Sequence, residues 1–428
     1  MQRYELSRLA TGERVISEEV PNVRSVSLGF WIGTGSRDET DSRAGVSHFI
    51  EHLLFKGSGS HSAQEIAEIF DGLGGELNAA TSRETTLVYA RVPDDRLEPA
   101  LDVIVGMVYD PAFADIDAER EVVLEEIAMV DDNPQDLVHD VVAEAVFGGH
   151  PLGRPVIGRA EVISTVGRRA LAAYHRAAYA HDNIVVAAAG NVTHERVLEL
   201  LSARLPKTET PVRRARKPFS RPPAPGYRFQ RKATEQYHVC LGAPGISRRD
   251  ERRFAASLLD AILGGSASSR LFQEIREKRG MAYSVYSFAS QYSDSGQVGL
   301  YVGTREENLV ECLEIVAREL GDVSAGNVRP GELERAKENL KGRMLLSMES
   351  TSNRMSRLGK SLITDTELLS LDEIMERIDA VTGDDVAALA GDLLRLDRLS
   401  AAGIGPSEAR FRAAIQRVNP ALVGRAAA

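Results

Sequence analysis

The chain has 428 residues, 43% hydrophobic and 27% charged, which is too long for one ordinary core and typical of a soluble protein with two domains. Its net charge of −10 argues against nucleic acid or an anionic membrane surface as the main partner, and no apolar run approaches the roughly 20 residues that span a bilayer. Two cysteines, too few for a disulfide framework, and an N-terminus without an apolar core predict a cytoplasmic protein.

The first pattern is a strand followed by a helix with an unusual polar face. Residues 23–33 alternate in hydrophobicity as a strand does and end at glycines. The helix comes next, with Asp41 or Ser42 placed to cap it. It contains the run His48-Phe49-Ile50-Glu51-His52. Because residues three and four apart share a helix face, both imidazoles and the carboxylate lie on one side, and apolar residues lie on the other.

This polar face carries metal-binding and proton-transfer groups in the order H-x-x-E-H, which is a metallopeptidase signature. Two imidazoles hold a zinc ion poorly, so a third protein ligand and an open position for water are needed. The isolated pattern also arises by chance, and a histidine pair on a helix is more often a surface or core feature than a site. A third ligand elsewhere in the chain therefore decides between these interpretations.

Two further elements follow before the long helices. The run Ser62-Ala63-Gln64-Glu65 is a capping-box pattern that opens a short helix, which ends at a cluster of glycines. Residues 76–81 and 85–92 then form the two strands of a β-hairpin. On composition alone, Asn78 and Ala79 in the first of these strands belong to an ordinary strand beside a turn.

Helical patterns dominate residues 97–147, and one of these helices carries a carboxylate on an apolar face. On a helical wheel Glu126 lies among four apolar residues, all within roughly 80° of Glu119: Val122, Val123, Ile127 and Val130. An unpaired carboxylate in the middle of an apolar arc costs several kcal/mol, and a bound cation removes that cost. We therefore predict Glu126, not the solvent-facing Glu125, as the third metal ligand, with Glu119 as its support.

Composition divides the chain near its middle. Residues 183–189 form a buried strand, and residues 206–226 combine six prolines with a basic cluster: Arg213, Arg214, Arg216 and Lys217. A segment of this kind is a linker, and its charge more often serves solvation than binding. We predict one domain at 1–205 and another at 227–428.

The second half repeats the first at an almost constant offset, which indicates a duplicated domain. Four places coincide: Gly33 over Gly242, 49–54 over 258–263, Glu119 over Glu334, and 183–190 over 398–405. Every proposed ligand is replaced in the second copy: His48 by Ser257, His52 by Ala261, and Glu126 by Lys341. The fold therefore does not require these ligands, and the first copy has them for chemistry.

One more helix is predicted, at residues 268–279, with Gly280 as its stop. Three of its apolar residues face inward: Leu271, Phe272 and Ile275. Arg276 and Tyr283 stand on either side of the stop. From the residues alone, Arg276 belongs to a solvated run of charged side chains.

Together these motifs resemble the pitrilysin family of zinc peptidases. The resemblance rests on His48-x-x-Glu51-His52 continued as Leu53-Leu54-Phe55-Lys56-Gly57, and on Glu119-Arg120 followed by Glu125-Glu126-Ile127. More narrowly, the chain is similar to mitochondrial processing peptidase and to bacterial enzymes of that branch, over most of its length. It departs from them at Gly264-Gly265-Ser266, which is at best a short counterpart of the glycine-rich loop of the noncatalytic mitochondrial subunit.

The resemblance implies an α+β fold of two tandem homologous α/β domains, each an antiparallel sheet packed with helices, that form half of a clamshell chamber. It implies one Zn²⁺ per chain, held by His48, His52 and Glu126, with Glu51 as the general base. Family members of this length pair up, so a homodimer around a peptide substrate is expected, with no nucleic acid or membrane as partner. The expected function is a zinc-dependent endopeptidase that cleaves peptides or small unfolded polypeptides in an enclosed chamber.

The resemblance also implies roles for residues away from the metal. The strand at 76–81 matches a sheet edge to which an extended substrate adds, so that Asn78 and Ala79 contact it. Arg276 and Tyr283 match a pair that reaches the zinc site from the second half, binds substrate and stabilises the oxyanion, and Glu119 supports catalysis beside the metal. We predict that in the homodimer each zinc site borrows this pair from the neighbouring subunit, although the sequence leaves open whether the pair acts within or between subunits. The alternative is a noncatalytic scaffold like the core subunits of the cytochrome bc1 complex. Such scaffolds typically have damaged zinc motifs, whereas this motif is intact.

Overall fold

The computed structural model describes residues 4–207 and 216–425. Within the predicted linker, Arg213 and Arg214 lie outside the described residues. Arg216 is described, and its guanidinium pairs with Asp38 at 2.8 Å. No helix within the described ranges has the length and apolar character needed to cross a bilayer.

The described residues form eleven β-strands and sixteen α-helices. The strands are β1 Tyr4–Arg8, β2 Arg14–Glu19, β3 Ser25–Ile32, β4 Glu76–Thr81, β5 Thr86–Pro93, β6 Ile184–Gly190, β7 Tyr227–Arg231, β8 Gln236–Gly245, β9 Ala282–Gln291, β10 Gly296–Arg305 and β11 Ser400–Gly405. The helices are α1 Val46–Leu54, α2 Ala63–Leu73, α3 Leu97–Tyr109, α4 Ile116–Asp132, α5 Pro134–Phe147, α6 Ala160–Ile163, α7 Arg168–Ala178, α8 His194–Arg204, α9 Arg253–Leu263, α10 Leu309–Ser324, α11 Glu332–Ser347, α12 Thr351–Ile363, α13 Leu371–Ala380, α14 Gly383–Leu393, α15 Glu408–Ile415 and α16 Pro420–Arg425. The strands and long helices predicted for the first half are confirmed to within a few residues.

One compact unit contains a six-stranded sheet in the order β1-β2-β6-β3-β5-β4. Adjacent strands in this sheet run antiparallel, except β2 and β6, which run parallel. Alternate residues of β3 enter the core on one face of the sheet, where α1 and α3 also bury their apolar sides: Val26, Leu28, Phe30 and Ile32. Strand β4 lies at the edge, paired with β5 from Glu76 to Thr81.

The other compact unit contains a five-stranded sheet in the order β7-β11-β8-β10-β9. The strands are again antiparallel, except that β7 and β11 run parallel. This order matches β2-β6-β3-β5-β4 strand for strand, so the duplication read from the sequence is present in the topology. The prediction of two tandem α/β domains is confirmed, with one parallel pair in each otherwise antiparallel sheet.

The two compact units do not follow the chain as the predicted ranges 1–205 and 227–428 do. Residues Met129–Arg154, with α5, belong to the unit of the five-stranded sheet, and Leu345–Leu371, with α12, belong to the unit of the six-stranded sheet. Helices α5 and α12 occupy equivalent places in the two repeats. Each copy therefore contributes one helix to the other copy's sheet.

Small residues let each exchanged helix approach its sheet closely. In the six-stranded unit a Cβ on Gly29 would lie 2.5 Å from Met355 Sδ, and one on Gly359 would lie 2.0 Å from Trp31 Nε1. In the five-stranded unit α5 packs its valines against β8 and β11, with Val142 beside Gly242. Side chains at these glycines would force helix and sheet apart, because protein interiors are close-packed.

The helix predicted at residues 268–279 has a different form. It is π-helical from Phe272 to Glu277, with Lys278 as its C-cap, and Gly280 follows two residues later with a φ of +61°. Leu271 and Ile275 are fully buried as predicted, whereas Phe272 is only partly buried. A π-helical turn widens the spacing of side chains along a helix and occurs often at functional sites.

Candidate metal centre

Helix α1 begins differently from the prediction, which placed Asp41 or Ser42 as its cap. Its N-cap is Gly45, with a φ of +97°, and a Cβ there would lie 2.7 Å from the Cα of Gly158. The cap is supplied by the buried carboxylate of Glu39, which accepts hydrogen bonds from the N–H of Gly45 at 2.8 Å and of Ser47 at 2.7 Å. A carboxylate at this end also interacts favourably with the helix dipole.

The two faces of α1 divide as the sequence predicts. The apolar residues of one face are buried in the core: Val46, Phe49, Ile50, Leu53 and Leu54. His48 and His52 lie on the other face with ring centroids 4.6 Å apart. Both rings are only slightly exposed, so the pair lies in a shallow, mostly buried position rather than on an open surface.

Helix α4 presents a buried face that is rotated from the predicted one. Val123 is fully buried and Glu119 nearly so, but Val122 is 46% exposed. The buried arc is therefore centred beyond Val123, roughly 40° from the predicted centre on the wheel. Glu126 lies at the margin of this arc and remains partly exposed. A ligand at the margin can hold a cation and still leave that cation open to a substrate.

Glu126 and the two histidines converge on one point. Glu126 Oε2 lies 3.3 Å from His52 Nε2 and 3.7 Å from His48 Nε2, and the three candidate ligand atoms all lie within 4.8 Å of one another. Tetrahedral zinc with ligands at about 2.0–2.2 Å separates them by about 3.3–3.6 Å. The residues therefore fit a zinc ion in the H-x-x-E-H order that the sequence analysis identified, with three ligands from the protein.

His48 is in the form that a metal requires, and the ring of His52 is oriented by a hydrogen bond. Burial, with a smaller contribution from His52, lowers the pKa of His48 to about 4, so its imidazole is neutral at pH 7. Nδ1 of His52 lies 2.9 Å from Glu119 Oε1. Because a carboxylate oxygen only accepts, His52 donates from Nδ1 to Glu119, and Nε2 is the ring nitrogen that faces Glu126. This places Glu119 beside the candidate ligands, as predicted for a supporting residue.

Glu51 lies on the same face of α1 and is largely buried. Its pKa is raised above its ordinary value chiefly by burial, while the hydroxyl and backbone N–H of Thr81 oppose the rise. Within the described structure, neither Glu51 Oε2 nor Thr81 Oγ1 completes a hydrogen bond of normal geometry. The buried phenol of Tyr179 is also in electrostatic reach, and its pKa is raised chiefly by burial and further by Glu51. A desolvated carboxylate with a free oxygen is suited to accept and return a proton.

Asn78 and Ala79 lie on the edge strand β4, in the same unit as the histidines. The side-chain oxygen of Asn78 accepts a hydrogen bond from the N–H of Ala79 at 2.8 Å. A groove of about 570 Å³ runs beside this strand, and Phe55, Ile66, Phe70 and Leu77 supply much of its apolar lining, with Asp71 and Glu76 as its acidic residues. An edge strand with a neighbouring groove can pair with an extended peptide and accept one of its side chains.

Arg276 and Tyr283 come together in the other unit. The guanidinium of Arg276 lies over the ring of Phe272 at 4.6 Å and over the ring of Tyr283 at 4.8 Å. Tyr283 is 79% exposed, which is unusual for an aromatic residue. The structure thus brings five predicted site residues together in one unit: His48, Glu51, His52, Glu119 and Glu126. It brings Arg276 and Tyr283 together in the other unit.

Sequence reasoning missed three residues around the candidate centre. Glu39 caps α1 although it lies six residues before the N-cap Gly45, outside the helix. A helical wheel of α1 therefore cannot show that it is close to the start of the helix. Thr81 follows Asn78 and Ala79 on β4, and the predicted hairpin contains it without indicating that it faces Glu51. Lys56 stands four residues after His52, and this spacing could have suggested a contact near the site.

Comparison with known proteins gives matches along nearly the whole chain. Residues 14–160 match the family model described as insulinase, peptidase family M16, and residues 165–340 match the one described as the peptidase M16 inactive domain. A Streptomyces coelicolor protein described as an uncharacterized zinc protease is 42% identical, over 93% of this chain and 88% of its own length. The Bacillus subtilis protein described as the uncharacterized zinc protease YmxG is 39% identical, over 90% of this chain and 94% of its own.

Solved structures with the same fold cover the chain equally well. A peptidase M16 inactive domain from Pseudomonas fluorescens superimposes with a TM-score of 0.87 at 25% identity, covering 94% of this chain and 98% of its own. A protease from Helicobacter pylori gives a TM-score of 0.88 at 22% identity, covering 95% and 100%. The second likeness concerns the fold alone.

Proposed function

The chain belongs to peptidase family M16, the pitrilysin family, and on that premise we propose that it is a zinc-dependent endopeptidase. The observation that carries the proposal is the convergence of His48, His52 and Glu126 within 4.8 Å, beside a buried carboxylate. A scaffold protein has no need to keep three ligand atoms on one point. Relatives of similar length that bear the description zinc protease support the same assignment.

His48, His52 and Glu126 would hold one zinc ion per chain. When bound, zinc supplies Lewis acidity, which lowers the pKa of a water molecule and polarises a carbonyl. Glu51 accepts the proton of the attacking water at its free oxygen and later gives it to the nitrogen of the leaving amine. Burial favours this role because it raises the pKa of Glu51 toward the value that a proton shuttle needs.

We further propose that the substrate binds in extended form along β4. The backbone of Asn78 and Ala79 lies at the sheet edge and can pair with a peptide strand. The groove beside β4 would accept an apolar or basic side chain, since its lining is apolar and includes Asp71 and Glu76. Peptides or small unfolded polypeptides are then the substrate class, because folded proteins offer no free strand.

Arg276 and Tyr283 are proposed to stabilise the oxyanion of the scissile carbonyl. The stacked guanidinium and the exposed phenol both donate hydrogen bonds, which a developing negative charge requires. In the proposed homodimer each metal centre receives this pair from the neighbouring subunit. The ranges 1–205 and 227–428 are proposed as the two copies of the duplicated domain, with 206–226 between them.

The direct test is cleavage of a quenched fluorescent peptide by the purified chain. We expect activity that a chelator abolishes and that stoichiometric Zn²⁺ restores, with about one zinc per chain by elemental analysis. A chain that binds zinc but cleaves no member of a diverse peptide library would favour the noncatalytic scaffold.

Mixing two inactive variants tests the shared site. Glu51→Gln lacks the proton shuttle, and Arg276→Ala lacks the oxyanion donor. If subunits share the site, a mixture should recover up to about a quarter of wild-type activity after exchange, because mixed dimers contain one intact centre. Absence of recovery, once subunit exchange has been verified with labelled protein, would contradict the sharing of Arg276 between subunits.

A further inference from the structure

Lys56 forms the outer end of a chain of contacts that leads to the candidate ligand His52. Its Nζ lies 2.6 Å from Glu119 Oε2, and the other oxygen of that carboxylate lies 2.9 Å from His52 Nδ1. The side chain of Glu119 is only 8% exposed. Each carboxylate oxygen thus has one partner, a cation on one side and an imidazole on the other.

We propose that Lys56 is a positioning residue of the metal centre, which holds Glu119 so that Glu119 orients the imidazole of His52 toward the metal. The inference rests on the proposed function, because it assumes that His52 is a ligand. It adds a residue outside H-x-x-E-H to the groups that set the geometry of the centre.

The backbone after α1 fixes where Lys56 can reach. The N–H of Phe55 bonds to the carbonyl of His52 at 3.2 Å, and the N–H of Lys56 bonds to that of Leu53 at 3.1 Å. Gly57 follows with a φ of +111°, so the chain turns away directly after Lys56. The side chain therefore starts about one turn from His52, within reach of Glu119.

Glu119 depends on such a partner because it is buried. A buried carboxylate with one unpaired oxygen is costly, and it is free to rotate until it finds another donor. Rotation would take the opposite oxygen away from His52 Nδ1 and release the imidazole. Outer contacts of this kind commonly change metal affinity by about 10–100-fold when they are removed.

The duplication gives a second, independent observation. The place of Lys56 in the second copy is Gly265, and the candidate ligands there are also replaced. Glu334, which the sequence offset places over Glu119, has a side chain that is 72% exposed, whereas that of Glu119 is 8% exposed, so the two glutamates do not occupy equivalent positions in the fold. The observation that remains is that the copy without metal ligands also lacks the lysine.

Two simpler roles for Lys56 make different predictions. A lysine near a helix C-terminus stabilises the helix dipole, which affects stability but not metal binding. A positive charge near a cation repels it, so by electrostatics alone the removal of Lys56 would tighten zinc binding. Only positioning through Glu119 predicts weaker binding, so the sign of the change in affinity separates the three roles.

The experiment measures Zn²⁺ affinity of the full chain by competition with a chromophoric chelator. We expect Lys56→Met to weaken binding about tenfold and Lys56→Arg to restore most of it. In a Glu119→Ala background Lys56→Met should have no further effect, because the residue acts through Glu119. Arg24→Gln is the control, since it breaks an ion pair to Asp94 at 2.9 Å in the same unit without a metal ligand nearby.

Nitrogen NMR of His52 in metal-free protein supplies a readout that needs no zinc. We expect the Nδ1–H of His52 to show the signature of a hydrogen bond to Glu119 in wild type, and we expect that signature to weaken in Lys56→Met. Unchanged or tighter zinc binding in Lys56→Met, or an unchanged His52 spectrum, would overturn the inference. If wild type itself binds no zinc, the proposed function fails, while the His52 spectra of the two proteins still decide the role of Lys56.

Discussion

The first helices of the two repeats, α1 and α9, hold equivalent places beside equivalent sheets but carry opposite chemistry. On α1 the residues His48 and His52 converge with Glu126. On α9 the same places carry Ser257 and Ala261. The apolar faces of both helices are buried alike. The fold therefore specifies the packing of these helices, and the polar face is free to vary.

The third ligand position shows the difference most clearly. Lys341, which the sequence offset places over Glu126, has its ammonium 2.8 Å from Asp379 and 2.7 Å from Glu338. The first copy presents an anion that a metal ion can complete, whereas the second copy carries its own cation with its own carboxylate partners. A metal would have no role there.

A carboxylate beside a hydroxyl is common to both copies but differs in its contacts. Asp260 takes the place of Glu51, and strand pairing puts Ser287 in the place of Thr81. Ser287 Oγ donates to Asp260 Oδ1 at 2.6 Å, whereas the hydroxyl of Thr81 leaves one oxygen of Glu51 unpaired. The pair is thus a feature of the fold, and the two copies differ in whether the hydroxyl closes a hydrogen bond to the carboxylate.

The largest expected effect separates Glu51 from Asp260. Glu51→Gln should lower kcat by about 10³-fold or more, because the amide cannot take a proton, while zinc content stays at the wild-type level. The matched variant Asp260→Asn should keep kcat within about twofold. Peptide cleavage and elemental analysis of both proteins check this. Equal losses of kcat in the two variants would mean that both carboxylates support the structure and that Glu51 has no special role in proton transfer.

The next effect concerns the metal. Glu126→Gln should weaken Zn²⁺ binding by about 100-fold, because a neutral amide replaces a charged ligand. Lys341→Gln removes only a cation of the second copy, which pairs with carboxylates of that copy, and should leave zinc affinity unchanged. Competition titrations with a chelator measure both. A clear loss of affinity in Lys341→Gln would show that the second copy takes part in metal binding after all.

A third prediction uses the pH dependence of metal-free protein. The pKa of His48 is about 4 in the folded chain and about 6.5 when unfolded. Between these values the unfolded chain binds a proton that the folded chain does not, so the free energy of unfolding falls as pH falls from 6.5 to 4. His48→Gln should reduce this fall by one to about three kcal/mol. Denaturant unfolding at pH 7 and pH 4.5 measures it.

Glu51 changes the free energy of unfolding with pH in the opposite direction, since its pKa is raised by burial. This contribution is the same in wild type and in His48→Gln, so it cancels when the two proteins are compared. Ser257→Gln, at the equivalent place on α9, provides the matched control and should leave the pH dependence as it is in wild type. Parallel pH profiles for wild type and His48→Gln would contradict the burial assigned to this imidazole.

The smallest effects come from the hydroxyl residues. Thr81→Val keeps the branched shape of the side chain but removes the hydroxyl that opposes the rise in the pKa of Glu51. It should lower kcat two- to fivefold, with little change in stability. Ser287→Ala should leave activity unchanged and lower the free energy of unfolding by about 1 kcal/mol, because it removes a closed hydrogen bond to a largely buried carboxylate. Kinetics and denaturation of both variants test whether the two hydroxyls differ in this way.

The parts of the molecule that the sequence predicts are those with local signals. The spacing of His48 and His52 places them on one face, and the pattern from Ser62 to Glu65 forms the capping box as predicted. The unpredicted parts depend on distant contacts. The rotation of α4 that exposes Val122 follows from the packing of the whole helix, and no wheel drawn from the helix alone contains that information. The pairing of Lys56 with Glu119 likewise joins residues that are far apart in sequence.

The exchange of α5 and α12 has a consequence for how the chain came to exist. In a single ancestral copy, this helix would have packed either on its own sheet or on the sheet of a second, identical chain. Cutting the present chain between the repeats leaves each fragment with a sheet whose covering helix is on the other fragment. Fragments made separately should then remain poorly folded until they are mixed, because each fragment needs the helix of the other to cover its sheet.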